Sequence, residues 1–172
     1  MRISLRTAAK MASFMIIFLS CVGCTENNAS SDPLAPDFSL TDLSGHVISL
    51  KQHRGHVVLL DFWATWCGPC RMTIPELIKV SEKYGRDEVI VLGISLDNPQ
   101  KVTNQQLQTF KERSRINYPV LRYNTKVIQD YFGNDPVAIP TMVIIDREGR
   151  IRDKLVGFKP NGIEEALDRL LK

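Results

Sequence analysis

A chain of 172 residues, 44% hydrophobic and 24% charged, is long enough for one domain with a real core and too ordinary in composition for a disordered or fibrous protein. The net charge of +3 comes from Arg2, Arg6 and Lys10; without them 19 basic residues face 19 acidic ones, which leaves no basic excess to argue for a nucleic-acid partner. The four cysteines form two pairs, Cys21/Cys24 and Cys67/Cys70, neither followed by His, so neither is a haem-attachment motif. His46, His53 and His56 are not spaced as zinc ligands beside Cys67 and Cys70, and their expected places are loops and strand surfaces; no metal site is expected. No nicotinamide or flavin fingerprint is present, so no cofactor is expected either.

Residues 1–10 are a basic leader and residues 11–22 an apolar run of 12 residues, too short for a comfortable membrane span and right for a secretion signal. Leu19-Ser20-Cys21-Val22-Gly23-Cys24 resembles a lipoprotein signal, in which a Cys after small residues becomes the lipidated N-terminus. Cys24 is the expected site, with Val22-Gly23 before it; Cys21 is the alternative. The reading is therefore a signal peptide over 1–23, a flexible Asn/Ser/Asp/Pro-rich tether over 24–35 and a folded domain over 36–172. An exported domain faces an oxidising compartment.

Alternating apolar and polar residues over 38–41 and 46–50, around Ser44-Gly45, predict a β-hairpin. Val57-Val58-Leu59-Leu60 predicts a buried strand ending at Asp61, and the spacing of Met72, Leu77, Ile78 and Val80 predicts an amphipathic helix over 70–84, kinked at Pro75. Cys67 then falls where a strand ends and a helix begins. There unsatisfied N–H groups and the helix dipole favour a thiolate, the nucleophilic form. Cys70 follows at i+3, within reach for a disulfide; Pro69 costs little in a first turn, and Gly68 leaves the sulfurs uncrowded. Asp61 closes an aliphatic run, and two readings stand. Buried, it has a raised pKa and can take the Cys70 proton during exchange; otherwise it is a strand-end Asp turned to solvent.

Further on, VIVLGIS over 89–95 predicts a second strand parallel to the first, in a βαβ unit. A polar helix from Asn98-Pro99 to Arg113, a strand over 118–121 and a helix over 125–132 ending at Gly133 follow. Strands over 141–145 and 150–156 make a second hairpin. Asn161 with Glu164 predicts a capping box for a last helix whose apolar face is Ile163, Ala166, Leu167, Leu170 and Leu171.

The run Asp61-Phe62-Trp63-Ala64-Thr65-Trp66-Cys67-Gly68-Pro69-Cys70 resembles the active site of thioredoxins residue for residue. Ile139-Pro140-Thr141 resembles their cis-proline loop, and Val156-Gly157-Phe158 their glycine turn near the last strand. The nearest likeness is to extracytoplasmic thioredoxins of the TlpA/ResA type. It implies an α/β, thioredoxin-like fold, with a central mixed sheet flanked by helices, an N-terminal hairpin and a central insertion over about 98–135.

The same resemblance implies a protein disulfide reductase acting through Cys67 and Cys70, with Asp61 and a cis Pro140 as further catalytic residues. Trp66, Gly68, Pro69, Ile139 and Thr141 would form the substrate-binding surface, with Trp63 partly in the core. The implied partners are disulfide-bearing exported proteins, apocytochrome c among them, and a membrane electron donor of the DsbD/CcdA type. A monomer is expected. Two departures stand out. ResA-like members often carry Glu where this chain has Thr73, and Asn where it has Asp61. Two other readings remain, a peroxiredoxin-like thiol peroxidase and a metallochaperone-type binding module. Against the first, Thr65 lies two rather than three residues before Cys67; against the second, the cysteine gap is two residues and no His lies beyond His56.

Overall fold

Seven consecutive residues, Val57–Trp63, are buried on both faces and form strand β3 at the centre of the sheet. The computed structural model describes residues 32–172, so both candidate lipidation sites and the signal segment lie outside the described residues. In chain order a short hairpin, β1 (Ser39–Thr41) and β2 (Val47–Ser49), leads through a single 3-10 turn into β3. Helix α1 (Gly68–Glu88) and strand β4 (Val89–Ser95) complete the βαβ unit, with β4 parallel to β3. Then come α2 (Asn104–Arg113), β5 (Val120–Arg122), α3 (Thr125–Phe132), β6 (Thr141–Ile145), β7 (Ile151–Val156) and α4 (Gly162–Leu171). The five-stranded sheet runs β5-β4-β3-β6-β7, with β6 and β7 antiparallel to their neighbours. This is the mixed α/β sheet that the sequence predicts.

Strand alternation sorts the core into two layers. Val57, Leu59 and Trp63 pack with Ile74, Leu77 and Val80 of α1, Leu107 of α2 and Ala166 and Leu167 of α4. Val58, Leu60 and Phe62 pack on the other face with Leu40 and Leu50 near the hairpin and Val127, Tyr131 and Phe132 of α3.

Several boundaries differ from the sequence reading, each for a local reason. Helix α1 begins at Gly68, capped by Cys67, and its backbone stays helical through Pro75; the non-helical break comes at Gly85, where φ is +62°. Its buried stripe is Cys70, Thr73, Ile74, Leu77 and Val80, so Met72 is exposed rather than part of the apolar face. Helix α2 starts at Asn104 and not at Asn98-Pro99. The Asn98 carbonyl closes a turn with Lys101 and Val102, while Thr103 and Gln106 form a reciprocal capping box. Strand β5 starts at Val120, after Pro119, whose carbonyl accepts from Gly93 N–H. The expected capping box of α4 does not form. Asn161 takes a left-handed conformation with φ 60°, its N–H donates to Glu76 Oε1, and Glu164 pairs with Lys83 instead.

The folded part also reaches further towards the N-terminus than residue 36. The Ala35 N–H donates to Gly149 O at 2.9 Å, Ile151 N–H donates to Pro33 O at 2.9 Å, and Leu34 bridges Arg150. Ala35 is buried, Arg150 donates to the Asp32 carbonyl, and Tyr131 donates to the Pro36 carbonyl. Residues 32–35, assigned to the tether on their polar composition, thus form a strap along the β6–β7 turn. Composition could not show this, because backbone groups make most of the bonds. A chain beginning at residue 37 is expected to lose about 2 kcal/mol of stability against one beginning at residue 31, two backbone hydrogen bonds and a buried Ala being removed; urea unfolding of the two measures it.

Candidate functional site

Cys67 and Cys70 form a disulfide with their Cα atoms 5.3 Å apart, at the point where the chain leaves the C-terminal end of β3. Cys67 is the N-cap of α1, and the backbone N–H of Cys70 donates to its sulfur at 3.2 Å. An N-terminal N–H aimed at Cys67 Sγ favours the thiolate there when the pair is reduced. Trp66 is 68% exposed beside it, Gly68 and Pro69 are exposed, and Cys67 is nearly covered while Cys70 is fully buried.

The loop before the cysteines is held from two sides. Thr65 donates through its N–H to Asp97 Oδ2 at 3.0 Å and through its hydroxyl to Asp97 Oδ1 at 2.7 Å, and Ser95 Oγ donates to Asp97 Oδ2. The Arg71 guanidinium donates twice to the Thr65 carbonyl, at 3.0 and 2.7 Å, and lies over the Phe110 ring of α2. Phe110 in turn packs on Trp63 at 5.4 Å. The inserted helix α2 therefore buttresses the active-site loop. Sequence reasoning missed Asp97 and Arg71; the one available signal was a Ser-x-Asp closing an otherwise apolar strand.

The Ile139–Pro140 bond is cis. It brings the Ile139 carbonyl oxygen to 3.8 Å from Cys67 Sγ, and Gly157 N–H donates to the Pro140 carbonyl at 2.8 Å, joining the loop to the turn after β7. Thr141, placed by sequence on the substrate surface, is fully buried; its hydroxyl donates to the Ala138 carbonyl, so it shapes the turn and does not face a ligand. Thr73 is also buried and donates to the Cys70 carbonyl. Trp63 is wholly core rather than partly so.

Asp61 is fully buried, which decides between its two sequence readings in favour of the interior one. Alternation along β3 turns it to the face covered by α1, the helix that carries Cys70. Neither carboxyl oxygen has a hydrogen-bond partner, and burial pushes the group up to about 8. Among the described residues no group of three or more His, Cys, Asp and Glu is arranged to hold a metal ion, and no helix is long and apolar enough to cross a membrane.

This fold and dithiol define a thioredoxin-like redox protein. The profile of the AhpC/TSA family matches residues 33–154, and the chain belongs to that family. It is 36% identical to the thioredoxin-like protein YneN of Bacillus subtilis over 78% of this chain and 76% of that one. It is 27% identical to the thiol-disulfide oxidoreductase ResA of Geobacillus kaustophilus over 98% and 96% of the two chains. Among solved structures, a provisionally named thiol:disulfide interchange protein DsbE of Chlorobium tepidum is 30% identical with a TM-score of 0.70, over 82% of this chain and 97% of that one. The protein is a thiol–disulfide oxidoreductase of the ResA type, with Cys67 and Cys70 as its pair.

Two expectations follow from the site. An acid whose pKa is raised by folding binds more protons folded than unfolded. Asp61 therefore lowers stability progressively as pH rises from its unfolded value of about 3.9 towards about 8. Asp61→Asn is expected to stabilise the oxidised protein, and by more at pH 8 than at pH 5, in urea titrations at the two pH values. Asp97→Ala is expected to cost about 1–3 kcal/mol and to speed amide exchange at Thr65, measured by hydrogen exchange.

Proposed function

We propose that the protein acts outside the cytoplasm, held at a membrane by a lipidated cysteine, Cys24 or alternatively Cys21, and reduces disulfides of exported proteins. The observation that carries the reading is the pairing of Cys67, at the cap of α1, with a buried carboxyl on the β3 face beneath that helix. The names of the ResA relatives support the chemistry, and the leader sequence supports the location.

In the proposed cycle the Cys67 thiolate attacks one sulfur of a substrate disulfide. A Cys67–substrate mixed disulfide forms and the other substrate sulfur leaves as a thiolate, which takes a proton from water. The Cys70 thiol gives its proton to the Asp61 carboxylate. Its thiolate then attacks Cys67 Sγ, forms the Cys67–Cys70 disulfide and releases the second substrate thiolate. Two electrons have passed to the substrate, and a membrane dithiol donor of the DsbD/CcdA type restores the pair. A base poised near neutrality suits this transfer. Exposed Trp66, Gly68 and Pro69 and the Ile139 backbone offer an extended segment a docking surface beside Cys67. Apocytochrome c is a substrate of the right kind, a chain with two nearby cysteines exported before haem attachment.

A peroxidase reading is weaker, because the Thr65 hydroxyl is engaged by Asp97. The test is insulin reduction supported by dithiothreitol, alongside peroxide turnover. Wild type is expected to reduce insulin, Cys67→Ser to be inactive, and Cys70→Ser to hold substrate as a mixed disulfide. Asp61→Asn is expected to slow resolution of that species by ~10-fold or more near pH 7. A reduction potential near or below about −230 mV fits a reductant, whereas one near about −120 mV would reverse the direction of electron flow. Peroxide turnover without insulin reduction would overturn the reading.

A further inference from the structure

Three buried polar groups lie together on the α1 side of the sheet and have no hydrogen-bond partner: the Asp61 carboxyl, the Trp63 indole N–H and the Tyr118 hydroxyl. Gly93 is what brings them together. On β4 it is the register partner of Asp61, and alternation puts both on the same face. A methyl group on Gly93 would lie 3.0 Å from Trp63 Nε1 and 3.1 Å from Tyr118 Cε2. The indole N–H and the phenol ring therefore fill the space over Gly93, next to the Asp61 side chain. Tyr118 arrives from the segment before β5, anchored by the Gly93 N–H bond to Pro119 O.

Unsatisfied buried groups are rare and costly, and three around one glycine are not a packing accident of separate origins. Their chemistry is complementary. Tyr118 and Trp63 carry donors, and an ionised carboxyl can only accept. Among the described residues no cation answers Asp61. On this face, among the described residues, the buried cluster holds Cys67 and Cys70 at the start of α1 and Tyr118, with Tyr84 of α1 packed at its edge and its hydroxyl turned to Asp168; α2 presents Leu107, α4 presents Ala166 and Leu167, and β6 presents Met142 and Ile144. Burial and the Asp61 charge hold the Tyr118 phenol well above its ordinary range, so it remains an O–H donor throughout.

We propose that Tyr118 is a positioning residue for Asp61: its hydroxyl, with the Trp63 indole N–H beside it, donates to the Asp61 carboxylate, directly or through one buried water, and so sets the pH at which the acid can accept a proton. The proposal rests on the reading of Asp61 as the acceptor of the Cys70 proton. It gives that reading a missing part, since a fully buried carboxylate with no donor and no cation would ionise only with difficulty.

The test follows Asp61 itself. In the oxidised protein, where neither cysteine titrates, the Asp61 carboxyl is read by 13C NMR or infrared difference spectroscopy and assigned by its loss in Asp61→Asn. Tyr118→Phe keeps the ring over Gly93 and removes one donor. The Asp61 midpoint is expected to rise by about one unit or more, and Trp63→Phe to move it the same way. The pH at which the mixed disulfide resolves half-maximally is expected to rise with it. In an Asp61→Asn background Tyr118→Phe is expected to change the resolution rate no further. An unmoved Asp61 midpoint in a folded Tyr118→Phe protein would overturn the proposal, as would a further rate loss in the Asp61→Asn background. If the midpoint moves but Asp61→Asn resolves mixed disulfides at the wild-type rate, the Tyr118–Asp61 link stands and the proton-acceptor role is what fails.

Discussion

One carboxyl group buried without a cation shapes much of this structure. Asp61 sits in the middle strand, between Gly93 and Met142 in register, beneath the helix that begins at the redox pair. The strand that holds it is covered on both faces. Such a group weakens the fold whenever it ionises, and natural chains lose such groups unless the charge does something. The cost falls on the face of β3 that lies beneath the helix carrying Cys70.

The second constraint is placement of the nucleophile. Cys67 ends the loop from β3, and four bonds, two donated by Thr65 to Asp97 and two donated by Arg71 to the Thr65 carbonyl, decide where that loop points. Asp97 lies just past the end of β4 and Arg71 on the first turn of α1, so the loop is referenced both to the sheet and to the helix. Phe110 of α2 lies under Arg71 and against Trp63, which makes the insertion a structural neighbour of the site rather than a separate ornament.

The parts legible in the sequence were those written in contiguous residues. The apolar runs of β3, β4 and β6 announce buried strands, and the ten residues from Asp61 to Cys70 carry the dithiol together with the buried carboxyl. What was hidden depends on contacts between distant positions. Asp97 looks like an ordinary strand-end residue until the Thr65 hydroxyl reaches it across 32 positions. Tyr118 looks like core until Gly93 is seen to leave room for its ring. The α4 cap failed because Glu76 and Lys83, on another helix, compete for the groups that a local box would use. The strap over 32–35 was invisible because it is held mostly by main-chain atoms, which every sequence possesses.

That strap also fixes a direction. It lies along the turn at the end of β6 that pairs with Val58, whereas Cys67 follows Trp63 at the other end of β3. The rise along the intervening strand separates the two by about 20 Å. The chain therefore enters the described fold on the pole opposite the cysteines. A pull applied at Asp32 would act along the length of β3 and turn the dithiol away from its source.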